Sequence, residues 1–339
     1  MLAVALFVLF ISGSFLLSPS GLLAQSQSDK NFLTRPLPQL KGQLSISGAW
    51  ALYPLAACWV EEFQKLQPGV KIDLQAGGAG KGMADVLSGL VDIALVSRAV
   101  YPEEISRGAF PVAVARDAVV ATLNEKNPFL KFILKKGLDR KALRAVWIEG
   151  KIKTWEELVG QKGQTPIHLY TRSDACGAAE TWAAFLGGHQ EDLKGIAIYG
   201  DPGLAEAVRR DPLGLGFNNL NFAFNPATGR PHAGLAVGPL DLNEDGQLSG
   251  EEDFYHTRES LRQAISSGVY PSPPARDLYL VITRPVHNQL ILPFLLWCLQ
   301  EGQSLVEKAG YVRLPAAVLE EEKIKLKSLS QDLAKERQK

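Results

Sequence analysis

Short apolar segments alternate with amphipathic segments along the first third of the chain, and this alternation limits the folds available to it. Residues 43–47 and 70–75 have the pattern of β-strands, whereas residues 53–66 and 81–90 have the apolar spacing of helices. A strand followed by a helix and a second strand is typical of a parallel sheet covered by helices. The alternation therefore predicts an α/β fold.

The pattern continues beyond residue 90 and divides the chain into two lobes. Residues 93–97 and 110–123 continue the first sheet, and the longer segment is predicted to cross into a second lobe. Residues 278–283 are predicted to return to the first lobe, followed by a long helix at 289–308. The second lobe is predicted from elements at 141–147, 154–159, 167–170, 178–185, 204–210 and 215–217.

The ends of the chain differ from the two lobes in composition. Residues 1–17 are almost wholly apolar, which is typical of a signal peptide ending near Ala24. An uncleaved membrane anchor is the alternative, because no Lys or Arg precedes the apolar run. The predicted organisation is a signal peptide at 1–24, a linker at 25–42, a first lobe at 43–122 plus 273–315, a second lobe at 123–272 and a charged helix at 316–339.

Charge, cysteine and histidine content argue against several classes of protein. The 36 basic residues balance the 36 acidic ones, so charge gives no argument for binding nucleic acid or an anionic membrane surface. The charged helix at 316–339 is either solvated or, less simply, a coil that binds a partner. The three cysteines form no spaced pair, and the five histidines have neither metal nor triad spacing, which argues against an enzyme.

Three segments rich in glycine and alanine lie at predicted turns between a strand and a helix, at 48–52, 77–82 and 175–178. Ligands of open α/β sheets bind at such turns, at the carboxyl ends of the strands. The glycines of 77–82 allow main-chain N–H groups to approach a small anion, although a flexible turn is the plain alternative. The loop matches neither a dinucleotide fingerprint nor a phosphate loop ending in Lys-Ser or Lys-Thr.

The segment 170–182 combines a fixed cation with the start of a predicted helix. Arg172 presents a planar fork of donors, and the free N–H groups of a first helical turn add partial positive charge. This is the chemistry of an anion-binding site, whereas an ordinary capped helix with a surface arginine is the alternative. Cys176 at this position is expected either to have a lowered pKa or to stand in for a capping serine.

The motif Arg-Ser-Asp-x-x-Gly at 172–177 resembles that of the phosphate-binding proteins of bacterial phosphate ABC importers. The resemblance extends over most of the chain, through 47–54, 77–82, 91–98 and 309–315. It implies the two-lobed type II periplasmic-binding-protein fold, with a mostly parallel sheet in each lobe and hinge crossovers. It also implies a protein that closes on a tetrahedral oxyanion and delivers it to an ABC permease in the inner membrane.

The resemblance also implies a set of ligand-binding positions in the three turns and beside them. Asp174 is expected to accept the proton of a monoprotonated oxyanion. The implied positions are Ala49, Trp50, Ala51, Leu52, Gly78, Ala79, Gly80, Ser97, Arg98, Arg172, Ser173, Asp174, Cys176, Gly177 and Ala178.

The chain departs from the family where Ser and Thr hydroxyls hold the anion. Each lost hydroxyl costs about 0.5 to 1.5 kcal/mol of binding, so weak or altered anion binding is expected. Trp50 is expected either to fill the cleft or to line it for a ligand with an apolar face. The positions without a hydroxyl are Ala49, Trp50, Ala51, Ala79, Cys176 and Ala178.

Residues 241–252 match the calcium-loop pattern, with glycine at the sixth position and glutamate at the twelfth. A helix is expected at 252–265 and a strand at 235–240, so a single structural calcium site is predicted; a merely acidic loop is the alternative. The predicted oxygen ligands are Asp241, Asn243, Asp245, the carbonyl of Gln247, Ser249 and Glu252.

Together these features predict a monomeric, periplasmic or extracytoplasmic solute-binding protein. Its expected ligand is inorganic phosphate or a related oxyanion, and its expected cofactor is structural calcium. The alternative is a module that kept the two lobes but lost phosphate affinity, and that acts as an extracytoplasmic sensor or as an adhesion or scaffold protein.

Overall fold

The computed structural model describes the backbone of residues 39–336 and the side chains of residues 39–331. The compact body of the chain is Lys41–Lys339. The predicted signal peptide and nearly all of the predicted linker lie outside the described residues.

Nine strands of the described chain form one sheet, and two more form a small parallel pair. The order in the large sheet is β2-β1-β3-β11-β4-β8-β6-β7, with β9 paired to β4. The small pair consists of β5 and β10. The strands are β1 (Gly42–Gly48), β2 (Val70–Ala76), β3 (Ile93–Val96), β4 (Ala109–Asn124), β5 (Leu138–Asp139), β6 (His168–Arg172), β7 (Ile196–Ile198), β8 (Gly214–Asn219), β9 (Leu235–Gly238), β10 (Leu240–Asp241) and β11 (Ala275–Thr283).

The predicted parallel pairing holds for the outer strands of each lobe. β1 runs parallel to β2 and β3, and β6 runs parallel to β7 and β8. The central strands differ, because β11 is antiparallel to β3 and β4, and β4 is antiparallel to β8. The sheets of the two lobes are therefore continuous rather than separate.

Strand β4 joins the two lobes, as its unusual length predicted. Residues 109–118 pair with β11 in the first lobe, and residues 119–124 pair with β8 and β9 in the second. Most of its 16 residues are buried Ala and Val, which suit a central strand covered on both faces. One continuous strand thus spans both lobes.

Helices cover the sheet at most of the predicted places. The described α-helices are α1 (Tyr53–Leu66), α2 (Ala79–Leu87), α3 (Pro102–Ser106), α4 (Leu130–Lys136), α5 (Arg140–Arg144), α6 (Trp155–Val159), α7 (Gly177–Phe185), α8 (Gly200–Arg210), α9 (Leu220–Ala223), α10 (Arg258–Ser267), α11 (Ile291–Leu299) and α12 (Ala316–Glu336). The helix at 53–66 is confirmed at both ends. Among these helices, none is both long and apolar enough to cross a membrane.

Two predicted helices differ most from the structure in extent. The helix expected at 289–308 ends at Leu299, and a 3-10 turn follows at Glu301–Leu305. The carbonyl of Gly302 accepts a hydrogen bond from Trp59 Nε1 at 2.8 Å, which fixes the chain in this turn. The helix expected from Glu252 begins at Arg258, where Thr257 caps it by accepting from the N–H of Ser260 at 3.1 Å.

Each lobe has its own aromatic core. In the first lobe, Phe63 of α1 packs against Phe294 and Trp297 of α11, with ring centroids 5.2 and 5.4 Å apart. In the second lobe, Trp182 of α7 packs against Trp147 at 5.4 Å and against Phe217 at 5.9 Å. These cores hold α1 and α7 in place, and therefore also the turns at their amino ends.

The predicted charged C-terminal helix is present as α12, and part of one face packs on the first lobe while most of its described residues are exposed or half-buried. Leu326 is fully buried and Leu329 nearly so. Lys325 Nζ donates to the carbonyl of Pro111 in β4 and lies 4.9 Å from the ring centroid of Phe110. Part of the apolar face of this helix therefore completes the core of the first lobe.

Candidate functional site

The predicted turns of the two lobes meet at the carboxyl ends of the strands. The N–H of Gly80, at the start of α2, donates to the carbonyl of Ala175 at 3.0 Å. Gly177, at the start of α7, lies against Ser97 so closely that an added Cβ would be 2.2 Å from the Ser97 carbonyl oxygen. Glycine is needed at these points because the lobes touch through their main chains.

Arg172 lies at this meeting point and pairs with two carboxylates. Its Nε and Nη2 donate to Asp174 at 2.8 and 2.6 Å, and its Nη1 donates to Asp201 at 2.5 Å. The Arg172 side chain is fully buried. The fork that we expected to face an oxyanion therefore faces Asp174 instead. Two of the five N–H bonds of the guanidinium are not used in these contacts.

A chain of hydrogen bonds leads from Arg172 to the strands that join the lobes. Asp201 accepts from Asn219 Nδ2 at 2.7 Å, and Asn219 Oδ1 accepts from Arg276 Nη2. Arg276 of β11 lies 3.9 Å from Asp117 of β4. All these groups are buried, so the network fixes Arg172 with respect to both joining strands.

Burial and charge shift the pKa values in this network. Burial raises the pKa of Asp117 to about 6, although Arg276 acts in the opposite direction. Burial lowers the pKa of Arg276, and Asp117 only partly compensates. Burial also disfavours the charge on Arg172, but Asp201 and the neighbouring groups raise its pKa above the ordinary value.

Sequence reasoning missed Asp201, Asn219, Arg276 and Asp117. Asp201 escaped notice because the helix was expected to begin at residue 204 rather than at Gly200. A signal for Asp117 and Arg276 was present, since each is a charged residue within a largely apolar strand. Their contacts join distant parts of the sequence, which a reading of local pattern does not reveal.

Main-chain donors remain at the starts of three helices. In the part of the chain that the structure describes, six N–H groups in the turn before α1 and in the first turns of α2 and α7 donate to no protein acceptor. These turns belong to both lobes. The six positions are Trp50, Ala51, Ala79, Lys81, Gly177 and Ala178.

The thiol of Cys176 caps helix α7, and the expectation of a lowered pKa was wrong. Its Sγ accepts from the N–H of Ala179 at 3.4 Å, as a serine oxygen does at this position. Burial raises the pKa of the thiol to about 12, although Arg172 acts in the opposite direction. Cys176 is therefore a structural cap and not a reactive thiolate.

Trp50 lies between the lobes. Its ring meets Tyr199 edge to face, with centroids 6.3 Å apart and planes at 88°. Its Cε2 is 3.4 Å from where a Cβ on Gly200 would lie. Trp50 of the first lobe thus packs over the start of α8 in the second lobe.

The other predicted ligand positions differ in their access to the cleft. Arg98 is held by Glu104, with Nη1 to Oε2 at 2.9 Å and Nη2 to Oε1 at 2.7 Å. Ser173 is exposed, whereas an added Cβ on Gly78 would lie 2.9 Å from both Ala175 O and Asp174 Oδ2. The fully or nearly fully buried positions are Ala49, Ala51, Leu52, Ala79, Ser97 and Ala178.

A cavity of about 480 Å³ opens beside this contact, between the two lobes. Gly80, Arg98 and Tyr101 line it from the first lobe, and Arg172 and Cys176 are among its lining residues from the second. It is larger than a tetrahedral oxyanion needs. The contact between the lobes is therefore open to solvent on this side.

The predicted calcium loop winds around its own carboxylates. Asp241 accepts from the N–H groups of Asp245 and Gly246 at 3.2 and 2.8 Å. Glu252 accepts from the N–H of Leu242 at 2.7 Å and from the hydroxyl of Ser249 at 2.9 Å. Burial acts against the charge of Glu252, but these donors lower its pKa. Between residues 39 and 331, no group of three or more His, Cys, Asp or Glu side chains is arranged to hold a metal ion.

Curated relatives of similar length resemble this chain in sequence. It is 25% identical over 312 residues to the phosphate-binding protein PstS of Methanocaldococcus jannaschii, covering 77% of this chain and 79% of that protein. It is 24% identical over 290 residues to protein SphX of a Synechocystis strain, covering 82% and 80%.

Solved structures support the fold. A putative phosphate ABC transporter substrate-binding protein from Clostridium perfringens, solved with bound phosphate, matches with a TM-score of 0.66 at 20% identity. The match covers 81% of this chain and all of that one. An ABC-type phosphate transport receptor from Vibrio cholerae matches with a TM-score of 0.59 at 16% identity, covering 80% and all of that chain. The fold is thus the two-lobed fold of these binding proteins.

A family model described as the PBP superfamily domain matches residues 34–299. This match covers well over half of the chain and includes both lobes and the contact between them. The chain therefore belongs to the PBP superfamily, and it resembles the phosphate-binding proteins within it.

Proposed function

We propose that this chain is the solute-binding protein of an ABC importer and that it binds phosphate or a similar tetrahedral oxyanion between its lobes. The observation that carries this proposal is the set of unpaired main-chain N–H groups at the starts of α1, α2 and α7, which come from both lobes. Relatives named as phosphate-binding proteins and a substrate-binding protein solved with phosphate support it.

The charges of the site explain why main-chain donors must supply most of the binding. Arg172 with Asp174 and Asp201 carries a net charge of one negative unit, so this cluster alone does not attract an anion. Helix amino ends supply partial positive charge and fixed N–H groups without a counterion. Asp174 then discriminates by accepting a proton from a monoprotonated oxyanion, a role that the family resemblance implies.

Binding follows from closure of the lobes about their joining strands. The anion contacts donors of both lobes only in the closed arrangement, so it stabilises that arrangement by its extra hydrogen bonds. A permease in the inner membrane then receives the loaded, closed protein. In this account the chain is an exported monomer outside the cytoplasm and catalyses no reaction.

Equilibrium dialysis of the full chain against radiolabelled phosphate tests this proposal. We expect one phosphate bound per chain, displaced by excess arsenate and less well by sulfate. If the chain retains none of phosphate, arsenate, molybdate and sulfate, the proposal is contradicted.

A second candidate is a binding module that has lost phosphate affinity and acts as a sensor or scaffold. Two observations favour it: the lobes touch directly at Gly80 and Ala175, and Ala or Cys stands where hydroxyls are expected. Affinity capture with the full chain distinguishes the two, since a transport role predicts recovery of the permease, whereas a sensor role predicts recovery of a kinase or matrix component.

We also propose that residues 241–252 bind a structural calcium ion. Asp241 and Glu252 are both buried, and the hydrogen bonds that they accept come from neutral donors of the loop rather than from Lys or Arg. Gly246 has φ 75°, as the tight winding of such a loop requires. The residues that would hold the ion are Asp241, Asn243, Asp245, Gln247, Ser249 and Glu252. The bound ion would supply positive charge to these buried carboxylates.

A further inference from the structure

The indole N–H of Trp50 is a buried donor with no acceptor among the described residues. An indole nitrogen can only donate, and nearly all buried donors in folded proteins have a partner. The nitrogen is therefore either unsatisfied or directed at a molecule that is not part of the protein.

Comparison with the other tryptophans indicates which of these two cases applies to Trp50. Trp59, Trp147 and Trp155 donate to main-chain carbonyls at 2.8, 3.4 and 3.2 Å. Trp182 and Trp297 also have no acceptor, but both are buried in the aromatic core of a single lobe. Among the unpaired indoles of the described chain, Trp50 is the one that lies at the contact between the lobes.

The surroundings of the Trp50 nitrogen indicate what it binds. The ring lies over Gly200, whose N–H opens helix α8 and donates to Asp174 Oδ1 at 3.2 Å. The main-chain N–H groups of Trp50 itself and of Ala51 are unpaired on the same turn. The indole nitrogen and the two unpaired main-chain N–H groups thus belong to the same turn, and a molecule that satisfies them must present acceptor oxygens, as an oxyanion does.

We propose that Trp50 Nε1 donates a hydrogen bond to an oxygen of the bound oxyanion and so contributes to the choice of ligand. This inference rests on the function proposed above, because it takes the ligand to be an oxyanion held between the lobes. The ring packs against Tyr199 and Gly200 of the second lobe in this arrangement, so closure of the lobes would bring this donor to the ligand. Trp50 then acts as a ligand donor of the first lobe and as a contact to the second.

A Trp50→Phe variant tests the donor while keeping an aromatic ring. We expect phosphate affinity to fall about ten-fold or more, as the loss of a hydrogen bond to a charged group implies. Because the smaller ring also loses the Cε2 contact with Gly200, the thermal midpoint without ligand is measured beside the affinity. Trp59→Phe is the matched control, because it removes an indole N–H inside the first lobe and should leave phosphate affinity unchanged.

Nuclear magnetic resonance of the full chain with ¹⁵N-labelled indoles gives an independent readout. On saturation with inorganic phosphate, the indole resonance that is missing in Trp50→Phe should move downfield, whereas that of Trp59 should stay in place. If phosphate binds but the Trp50 resonance does not move, or Trp50→Phe binds equally well, this inference is overturned while the proposed function stands. If the wild-type chain binds none of phosphate, arsenate, molybdate and sulfate, both are overturned.

Discussion

Arg172 holds Asp174 through two parallel hydrogen bonds, from Nε to Oδ1 at 2.8 Å and from Nη2 to Oδ2 at 2.6 Å. Asp201 takes a third bond from Nη1, and all three side chains are buried. These contacts of the arginine stabilise the second lobe, and only the N–H bonds that the carboxylates leave are available for the proposed anion.

Arg172→Ala should destabilise the fold strongly, because it leaves Asp174 and Asp201 buried without a counterion. We expect the free energy of unfolding to fall by about 3 to 5 kcal/mol. Urea unfolding followed by circular dichroism measures this change. Arg209→Ala is the matched control, since Arg209 pairs with Glu206 on the surface and its loss should change stability little. A loss equal to that of the control would contradict this account of Arg172.

Asp117 should make stability depend on pH. Burial raises its pKa to about 6, from an ordinary value of about 4, so the folded chain holds the proton more tightly than the unfolded chain. The contribution of Asp117 to stability is therefore complete below about pH 4 and is lost as the pH rises to about 6.

The Asp117→Asn variant isolates this effect, because the amide does not titrate. Its stability relative to the wild-type chain should increase by about 2 to 3 kcal/mol between pH 4 and pH 7. Free energies of unfolding at the two pH values measure the difference. A constant difference between the two proteins would show that Asp117 does not titrate in this range.

Cys176 should be unreactive in the folded protein, since its thiol is buried and its pKa is about 12. The test uses two double variants. Cys58→Ala/Cys298→Ala keeps only Cys176, and Cys176→Ala/Cys298→Ala keeps only the partly exposed Cys58. At pH 8, a disulfide reagent should modify Cys176 at least about a hundred-fold more slowly in the folded than in the unfolded chain, and more slowly than Cys58. If Cys176 is labelled rapidly in the folded chain, it is a reactive thiolate, which is one of the two expectations from the sequence.

Calcium should stabilise the second lobe if the loop at 241–252 binds it. With a dissociation constant of about 10⁻⁴ to 10⁻³ M, 10 mM calcium should add about 1 to 3 kcal/mol to the free energy of unfolding. Glu252→Gln should abolish this gain, whereas Glu251→Gln, at an exposed neighbouring position, should keep it. Equal stability of the wild-type chain in calcium and in chelator would refute the calcium site.

Local pattern predicted much of the fold because each element carries its own signal. The apolar spacing of α1 and the length of β4 both follow from side chains close together in sequence. The split between α11 and the 3-10 turn depends instead on Trp59, more than two hundred residues away, which donates to Gly302. Distant contacts of this kind have no local signal.

The sequence predicted the main-chain turns of the candidate site but not its buried charged residues. Glycines at 80 and 177 mark places where main chains approach each other, and such glycines are visible in the sequence. The pairing of Arg172 with Asp201 is not, because the two residues lie 29 positions apart and meet only after β6 and α8 pack together. Sequence therefore indicated which turns meet between the lobes, but not that the arginine is paired with two carboxylates.

Calorimetric titration of the full chain with phosphate, in calcium-containing buffer, tests the central claim most directly when it includes a variant that blocks closure. An added methyl at Gly177 would lie 2.2 Å from the Ser97 carbonyl oxygen, so Gly177→Ala should keep the lobes apart, whereas Gly250→Ala meets open space. We predict single-site phosphate binding to the wild-type chain and to Gly250→Ala, and at least about ten-fold weaker binding to Gly177→Ala, a loss of about 1.4 kcal/mol. Equal binding by Gly177→Ala, or no heat from phosphate, arsenate, molybdate or sulfate with the wild-type chain, would contradict binding of an oxyanion between closed lobes.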